Sequence, residues 1–176
     1  MNMLDVSLLE LVHSVSNPTL DRLAVFLTQL GGAIFITALV SVTAAGLLWQ
    51  RRRQAATLLV VTIGGAGMLN IMLKLLFQRD RPTLWEALAI EHTYSFPSGH
   101  AMASSALAFA LIILVWHTKW RLVALLCGAF YITIIGLTRM YLGVHFPSDI
   151  IAGWIVSLGW TYLVYRAVYG LKPHKP

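Results

Sequence analysis

The stretch QAATLLVVTIGGAGMLNIML, from Gln54 to Leu73, contains no Asp, Glu, Lys or Arg and decides how the chain folds. A helix that crosses the hydrocarbon core of a bilayer needs about 20 mostly apolar residues, and this run has that length. Three arginines, Arg51–Arg53, come directly before it, and Lys74 comes directly after it. Basic residues at both ends are typical of a span bounded by the two membrane surfaces. The stretch therefore predicts a transmembrane helix.

Further runs of similar composition extend this prediction to most of the chain. They are Gly32–Trp49, Gly99–Trp116, Leu122–Thr138 and Ile150–Tyr165, and none contains Asp, Glu, Lys or Arg. Charged residues make up only 11% of the 176-residue chain, against roughly 25% in a soluble domain. The alternative is a soluble bundle, but soluble helices average only about 10–14 residues. We therefore predict an all-α, polytopic membrane bundle with about five transmembrane helices. They form residues 32–170 of one domain that covers 1–176.

Residues 1–31 differ from the rest and predict an N-terminal interfacial helical segment. Apolar residues recur there at helical spacing, at Leu4, Leu8, Leu11 and Val15. That stretch carries charges and is too short to cross a bilayer, so it predicts an amphipathic helix lying in the membrane interface. Asn17-Pro18 ends it, and a second short helix is predicted over Thr19–Leu30. No basic segment precedes these early apolar residues, which predicts no cleavable signal peptide.

The basic residues predict how the protein is oriented in the membrane. They cluster at Arg51–Arg53, at Lys119 and Arg121, and at Arg166, Lys172 and Lys175. With five spans, all three clusters lie on one side, which the positive-inside rule makes cytoplasmic. The net charge of +6 therefore reflects topology and predicts no nucleic-acid partner. We expect a multi-pass protein of the cell membrane. Arg79 and Arg81 lie on the external or periplasmic side, against this rule, so we expect a local interaction to account for their position.

Most other unusual polar residues converge on that same external side. Three distant segments contribute them: Lys74 and Arg81; Pro97-Ser98-Gly99-His100; and Arg139, His145 and Asp149. Ionisable groups near the membrane core are energetically costly, so their convergence indicates a functional site.

The three cations of this set indicate an anionic ligand. Arg81 and Arg139 can each hold a phosphate with a planar fork, and Lys74 acts as a point charge. Ser98 and Gly99 begin a predicted helix, where backbone N–H groups and the helix dipole favour an anion.

His145 and Asp149 indicate a nucleophile with its partner. Pro147 lies between them as a plausible first helical residue, so Asp149 falls in the first turn and can reach back to His145. A carboxylate on one ring nitrogen fixes the tautomer and leaves the other nitrogen free to attack.

Together these residues form three motifs that resemble those of the type 2 phosphatidic acid phosphatase superfamily, which also includes vanadium-dependent haloperoxidases. The motifs read Lys74, six residues, Arg81-Pro82; then Pro97-Ser98-Gly99-His100; then Arg139, five residues, His145, three residues, Asp149. The family usually has Ser before that last Arg, and Thr138 retains the hydroxyl. The predicted spans match the membrane branch of the family, whereas the haloperoxidases are soluble.

This resemblance implies a metal-independent lipid phosphate phosphatase without a cofactor, whose partners are the bilayer and a lipid phosphate. His145 would attack phosphorus and form a phosphohistidine, Asp149 would orient it, and His100 would protonate the leaving oxygen and then activate water. The phosphoryl oxygens would be bound by Lys74, Arg81, Ser98, Gly99 and Arg139. Phosphatidic acid, phosphatidylglycerol phosphate, undecaprenyl diphosphate and lipid A phosphate all fit this substrate class.

Two alternatives remain open at this point. A phosphotransferase would use the same phosphohistidine and differ only in its acceptor. A membrane metal-binding or transport protein would use His100, His145 and Asp149 as ligands, and sensitivity to chelators would reveal it.

Overall fold

A computed structural model of the chain describes residues 3–170, and these residues form seven helices and no strand. The helices are α1 (Met3–His13), α2 (Pro18–Gln29), α3 (Ala33–Trp49), α4 (Arg53–Phe77), α5 (Gly99–Val115), α6 (Arg121–Tyr141) and α7 (Pro147–Tyr169). The all-α prediction is confirmed, and the predicted segments match these helices with shifts of a few residues at their ends.

Local capping signals explain where several helices begin. The Asn17 side chain accepts hydrogen bonds from the backbone N–H groups of Thr19 (3.1 Å) and Leu20 (3.0 Å). Pro18 occupies the first turn of α2, where its missing N–H costs nothing. Pro147 begins α7 in the same way. The sequence prediction of both starts rested on these prolines, and the structure agrees.

Three helices, α4, α6 and α7, are each long and apolar enough to cross a bilayer by length and composition. α2 and α3 meet that criterion only as a pair bent by 41° at the break between them. Gly32 caps α3 with extended backbone (φ −75°, ψ 155°), which separates the two helices. α5 has 17 residues and is a shorter apolar helix. By length and composition, residues 3–170 thus contain three candidate spans, or four with the bent pair, where the sequence predicted about five.

Small residues let the long helices approach closely, as is common between helices in membranes. A methyl group at Gly65 of α4 would lie 2.2 Å from the Trp160 ring of α7. The Trp160 indole N–H also donates to the Thr62 carbonyl of α4 (3.1 Å). On α7, a methyl at Gly153 would lie 3.2 Å from the Ala101 side chain of α5. These contacts pack α7 against α4 near Trp160 and against the start of α5 near Gly153.

The N-terminal helix α1 turns its apolar residues outward and a carboxylate inward. Leu4, Leu8 and Leu11 are exposed, as expected for a helix that lies against lipid. Leu9 and Asp5 are buried against the rest of the protein instead. An aspartate on the inner face of an interfacial helix is costly unless it has partners.

The end of the bundle opposite the arginine cluster 51–53 is covered by the segment between α4 and α5, residues 78–98, called here the outer loop. Its backbone is tied to the helices: the N–H of Leu88 donates to the Leu142 carbonyl (3.1 Å). The Trp85 ring stacks on His13 of α1 with their centroids 4.0 Å apart. The loop and α1 therefore cover the helix ends that carry the three motifs.

Candidate active site

All of the predicted site residues lie at this one end of the bundle. Lys74 and Arg139 come from the last turns of α4 and α6, whereas Ser98 caps α5 and Asp149 lies in the first turn of α7. His145 lies in the short connection between α6 and α7, while Arg81 lies in the outer loop, and Gly99 and His100 begin α5. Most are buried: Lys74, Ser98, Arg139, His145 and Asp149 are each at most 9% exposed.

The carboxylate of Asp149 faces one nitrogen of the His145 ring. Asp149 Oδ2 lies 3.5 Å from His145 Nδ1 and accepts a hydrogen bond from the Phe146 N–H (2.9 Å). The hydroxyl of Ser95 donates to the same oxygen (2.5 Å). The other ring nitrogen, Nε2, lies 3.4 Å from Nη1 of Arg81. The ring is therefore held with Nδ1 toward a carboxylate and Nε2 toward a cation.

The surroundings of His145 favour its neutral form. Burial lowers the pKa of His145 to about 4, and the charges of Arg139 and Arg81 lower it as well, whereas Asp149 raises it. A neutral imidazole that donates from Nδ1 to the carboxylate has a lone pair on Nε2. That lone pair points toward the side of the site on which the arginines lie.

The three cations contact one short part of the outer loop, Glu91–Tyr94, called here the 91–94 segment. Lys74 Nζ donates to the Thr93 hydroxyl (2.8 Å) and to the Tyr94 carbonyl (2.5 Å). Arg81 Nε donates to the Thr93 carbonyl (2.8 Å). The basic groups that the motifs predict as phosphate ligands are thus gathered around this segment.

Glu91, which the sequence analysis missed, bridges the two arginines. One carboxylate oxygen pairs with Arg139 Nη2, and the other lies 3.5 Å from Arg81 Nη2. Burial raises the pKa of Glu91, but Arg139 and Arg81 outweigh this and hold the pKa below its usual value. Arg139 also donates to the Thr28 hydroxyl of α2 (2.9 Å). The Glu91 carboxylate thus lies between the two guanidinium groups that are predicted to bind phosphate.

Ser98 and Gly99 define the start of α5. The Ser98 hydroxyl accepts from the Ala101 N–H (3.4 Å), and the Ser98 N–H donates to the Asp149 carbonyl (3.1 Å). A methyl on Gly99 would lie 3.1 Å from the Asn70 side-chain oxygen. The Ser98 side chain therefore caps the helix and the glycine allows close packing. Phosphate binding by Ser98 and Gly99 remains a prediction.

Arg79 is a second residue whose partners the sequence did not reveal. Its guanidinium pairs with Asp149 (2.6 Å) and with Asp5 of α1 (2.8 Å). Its position against the positive-inside rule was the signal that a local partner exists. Its partners lie 70 and 74 residues away in the chain, too far for sequence spacing to suggest them.

A cavity of about 580 Å³ opens beside these groups. Its wall includes Ile71, Lys74, Leu75, Arg79, Asp80, Arg81, Glu91, His92, Thr93 and Tyr94. A larger cavity of about 790 Å³ lies at the opposite end of the bundle, near Arg52 and Trp116, and contains no motif residue. Of the two cavities, only the smaller one is lined by motif residues, which are Lys74 and Arg81. Within residues 3–170, no three His, Cys, Asp or Glu side chains are arranged to hold a metal ion.

An all-helical bundle with apolar helices of membrane-spanning length defines an integral membrane protein, and its histidine–aspartate pair lies among three cations. The chain belongs to the PAP2 superfamily, whose sequence profile matches residues 55–173. The resemblance drawn from the three motifs is thereby confirmed.

Relatives of known name agree with this assignment. The chain is 31% identical to phosphatidylglycerophosphatase B of Bacillus subtilis, over 85% of this chain and 76% of the relative. It is 30% identical to an undecaprenyl-diphosphatase of Sulfolobus acidocaldarius, over 90% of this chain and 76% of the relative.

Solved structures show the same architecture. A transmembrane PAP2-type phosphatidylglycerolphosphate phosphatase from Bacillus subtilis superimposes with a TM-score of 0.87 at 27% identity, covering 97% of this chain and 87% of that one. LpxE of Aquifex aeolicus superimposes with a TM-score of 0.78 at 25% identity, covering 94% and 96%. The prediction of a membrane helix bundle is confirmed by this match.

Proposed function

We propose that this protein hydrolyses a lipid phosphate or lipid diphosphate monoester through a phosphohistidine intermediate, on the external face of the membrane. The observation that carries the proposal is the orientation of the His145 ring. Nδ1 faces Asp149 and Nε2 faces Arg81, which is the arrangement that a nucleophilic imidazole beside a phosphate requires.

In the first step, His145 Nε2 attacks phosphorus and the bond from phosphorus to the leaving oxygen breaks. His100 gives its proton to that oxygen, so the lipid alcohol, or the lipid monophosphate from a diphosphate, leaves with this oxygen protonated. In the second step, His100 takes a proton from water, the resulting hydroxide attacks phosphorus, and the bond to Nε2 breaks. Inorganic phosphate is released and both histidines return to their starting forms.

The cations meet the charge that develops during these steps. Arg81 and Arg139 present planar forks and Lys74 a point charge, which stabilises the transferring phosphoryl group without a metal ion. Asp149 stabilises the positive ring of the phosphohistidine through Nδ1, as a carboxylate does for an imidazolium.

The substrate class follows from the membrane setting and the relatives. The relatives' names specify phosphatidylglycerophosphate and undecaprenyl diphosphate, both of which attach a phosphate to a lipid anchor. A lipid in the outer leaflet can bring its phosphate to the cavity beside the outer loop while its chains stay in the bilayer. These two lipids, with phosphatidic acid and lipid A phosphate, form the test panel.

Phosphate release by the purified protein in detergent tests the reaction. His145→Ala should abolish turnover with every lipid of the panel, because it removes the attacking nitrogen. Asp149→Asn should leave weak activity, since a partner remains but its charge is lost. His117→Ala, just beyond the opposite end of α5, is the control and should turn over normally. Normal turnover by His145→Ala would refute the mechanism, and acid-labile labelling of His145 would support it.

Sidedness is tested with single cysteines in a Cys127→Ser background. Glu86→Cys, in the outer loop, should react with an impermeant thiol reagent added to intact cells. Lys119→Cys, between α5 and α6, should react only after lysis. The reverse pattern would place the site on the cytoplasmic side.

A further inference from the structure

The proposed mechanism uses only one oxygen of the Asp149 carboxylate, yet the structure holds both. Oδ2 lies toward His145, while Oδ1 accepts a hydrogen bond from Nη1 of Arg79 (2.6 Å). Asp149 is fully buried, so water does not screen this contact as it would at a surface. Arg79 is therefore a direct ion-pair partner of the carboxylate that supports the proposed nucleophile.

The guanidinium of Arg79 is fixed on several sides. Nη1 also donates to the Ser148 hydroxyl (2.7 Å), and Nη2 donates to Oδ2 of Asp5 (2.8 Å). The guanidinium carbon lies 4.2 Å from the centre of the Phe146 ring, the residue that follows His145. A planar fork held by two carboxylates and an aromatic face has little freedom to turn.

Asp5 reaches this site from the inner face of α1. Its Oδ1 accepts from the Ser148 N–H (3.0 Å) and its Oδ2 from the Ser148 hydroxyl (2.6 Å), at the start of α7. Burial raises the pKa of Asp5, but hydrogen bonds from Ser148 and Arg79 outweigh this and lower it. The group is thus an ionised carboxylate at a helix N-terminus, where negative charge is favoured.

The balance of charge shows why two carboxylates share one arginine. Arg79 paired with Asp149 alone would cancel most of the negative charge that His145 needs at Nδ1. Because Asp5 draws on the same guanidinium, the three groups together keep a net negative charge. The carboxylate can then be held rigidly and still favour a proton on Nδ1.

We propose that Asp5 and Arg79 are positioning residues for catalysis, acting in series through Asp149 on His145. α1 would then be part of the catalytic machinery as well as a helix of the membrane interface. The inference rests on the proposed function, in which His145 is the nucleophile.

The pH dependence of kcat and kcat/KM in single-residue variants tests whether Asp5 and Arg79 act through Asp149 on His145. Asp5→Asn leaves Arg79 to act on Asp149 alone, which disfavours a proton on His145. The acidic limb of the pH profile of kcat/KM should therefore move to lower pH. Arg79→Gln removes the positive charge, and the limb should move to higher pH. In both variants kcat should fall about tenfold with KM little changed, as expected when one charged hydrogen bond to a positioned group is lost. Arg79→Lys keeps the charge without the fork, so kcat should fall while the limb stays in place.

The other groups that face His145 are the same in every variant, so they cannot move the acidic limb in opposite directions in the Asp5→Asn and Arg79→Gln variants. They are Arg81, Ser95, His100 and Arg139. The titration of the substrate phosphate is also common to all variants.

Asp21→Asn is the matched control. Asp21 of α2 accepts a hydrogen bond from the Tyr141 hydroxyl of α6 (2.6 Å), so it too ties an N-terminal helix to the bundle through a carboxylate. It touches neither Asp149 nor His145. This variant should lower the melting temperature but leave kcat and the acidic limb unchanged.

Two results would overturn different statements. If Asp5→Asn and Arg79→Gln behave like Asp21→Asn, losing thermal stability without a change in kcat or in the acidic limb, the positioning role is refuted and the proposed function stands. If His145→Ala still releases phosphate, the proposed function fails regardless of the Asp5 and Arg79 variants.

Discussion

Replacing Glu91 by glutamine should make the site bind phosphate-like anions more tightly. The Glu91 carboxylate pairs with both Arg81 and Arg139, so an anion that uses both forks must first displace it. A hydrogen bond to a charged group is worth about 1.5–3 kcal/mol. The Glu91 side chain is 25% exposed, which favours the lower end of that range. Since about 1.4 kcal/mol is tenfold in affinity, and glutamine still forms a weaker contact, we expect a gain of about fivefold to tenfold.

Inhibition by vanadate, which mimics a transferring phosphoryl group, measures this effect. The inhibition constant of Glu91→Gln should fall by that factor, and inhibition by inorganic phosphate should strengthen in parallel. Glu86→Gln removes a carboxylate from the exposed part of the same loop and controls for a general change in loop charge. An unchanged or higher inhibition constant in Glu91→Gln alone would refute the idea that this carboxylate competes with the ligand.

Four further predictions concern the metal requirement, the proposed acid, stability against acid, and packing. Phosphate release should survive EDTA because basic side chains meet the phosphate charge; loss that Mg²⁺ or Zn²⁺ restores would contradict this. His100→Ala should slow phosphorylation of the protein far more with a lipid alkoxide leaving group than with p-nitrophenyl phosphate, and equal losses would exclude His100 as the acid. The pKa of His145 is lowered to about 4, so the unfolded chain, with a histidine pKa of about 6.5, binds a proton first as pH falls. The stability that neutral His145 contributes is therefore present above about pH 6.5 and is lost toward pH 4. The melting temperature of His145→Gln should consequently depend less on pH in this window than that of the wild type. Gly65→Ala should lower the free energy of unfolding by about 1–3 kcal/mol, because its methyl group overpacks against Trp160, and the melting temperature should fall. In Gly64→Ala the methyl group meets nothing within 4 Å, so this control should melt like the wild type.

Sequence reasoning succeeded where the signal is local or periodic. Membrane helices follow from uninterrupted apolar runs, and the start of α2 follows from the adjacent Asn17-Pro18 pair, because a cap acts within a few residues. The three motifs predicted which residues meet, since their helices alternate in direction and bring the motif ends to one side. No knowledge of side-chain contacts was needed for either result.

Glu91 could not be predicted because the outer loop has no periodicity. A single glutamate in such a loop is ordinarily a solvated charge. Only the folded loop shows that it comes between Arg81 and Arg139.

Asp5 was missed for a different reason. On a soluble amphipathic helix, apolar residues face the core and acidic residues face water, whereas α1 reverses this by exposing Leu4 and Leu8 and burying Asp5. In a membrane the apolar face can turn to lipid, so hydrophobic periodicity locates the lipid-facing side and leaves the role of the other side undefined. A lone carboxylate on that other side, together with an arginine against the positive-inside rule, is a pattern worth searching for in similar chains.

The Glu91 contact has opposite consequences for binding and for folding. Arg139 is almost fully buried, and a buried guanidinium without an anion is strongly destabilising. Glu91 thus stabilises the fold by the same ion pair that a bound phosphate must break. Glu91→Gln should therefore melt at a lower temperature than the wild type in buffer alone. Vanadate should raise its melting temperature more than that of the wild type, because the ligand then supplies the missing charge and binds more tightly. If the variant is less stable and also gains less from vanadate, Glu91 supports the anion site instead of occupying it.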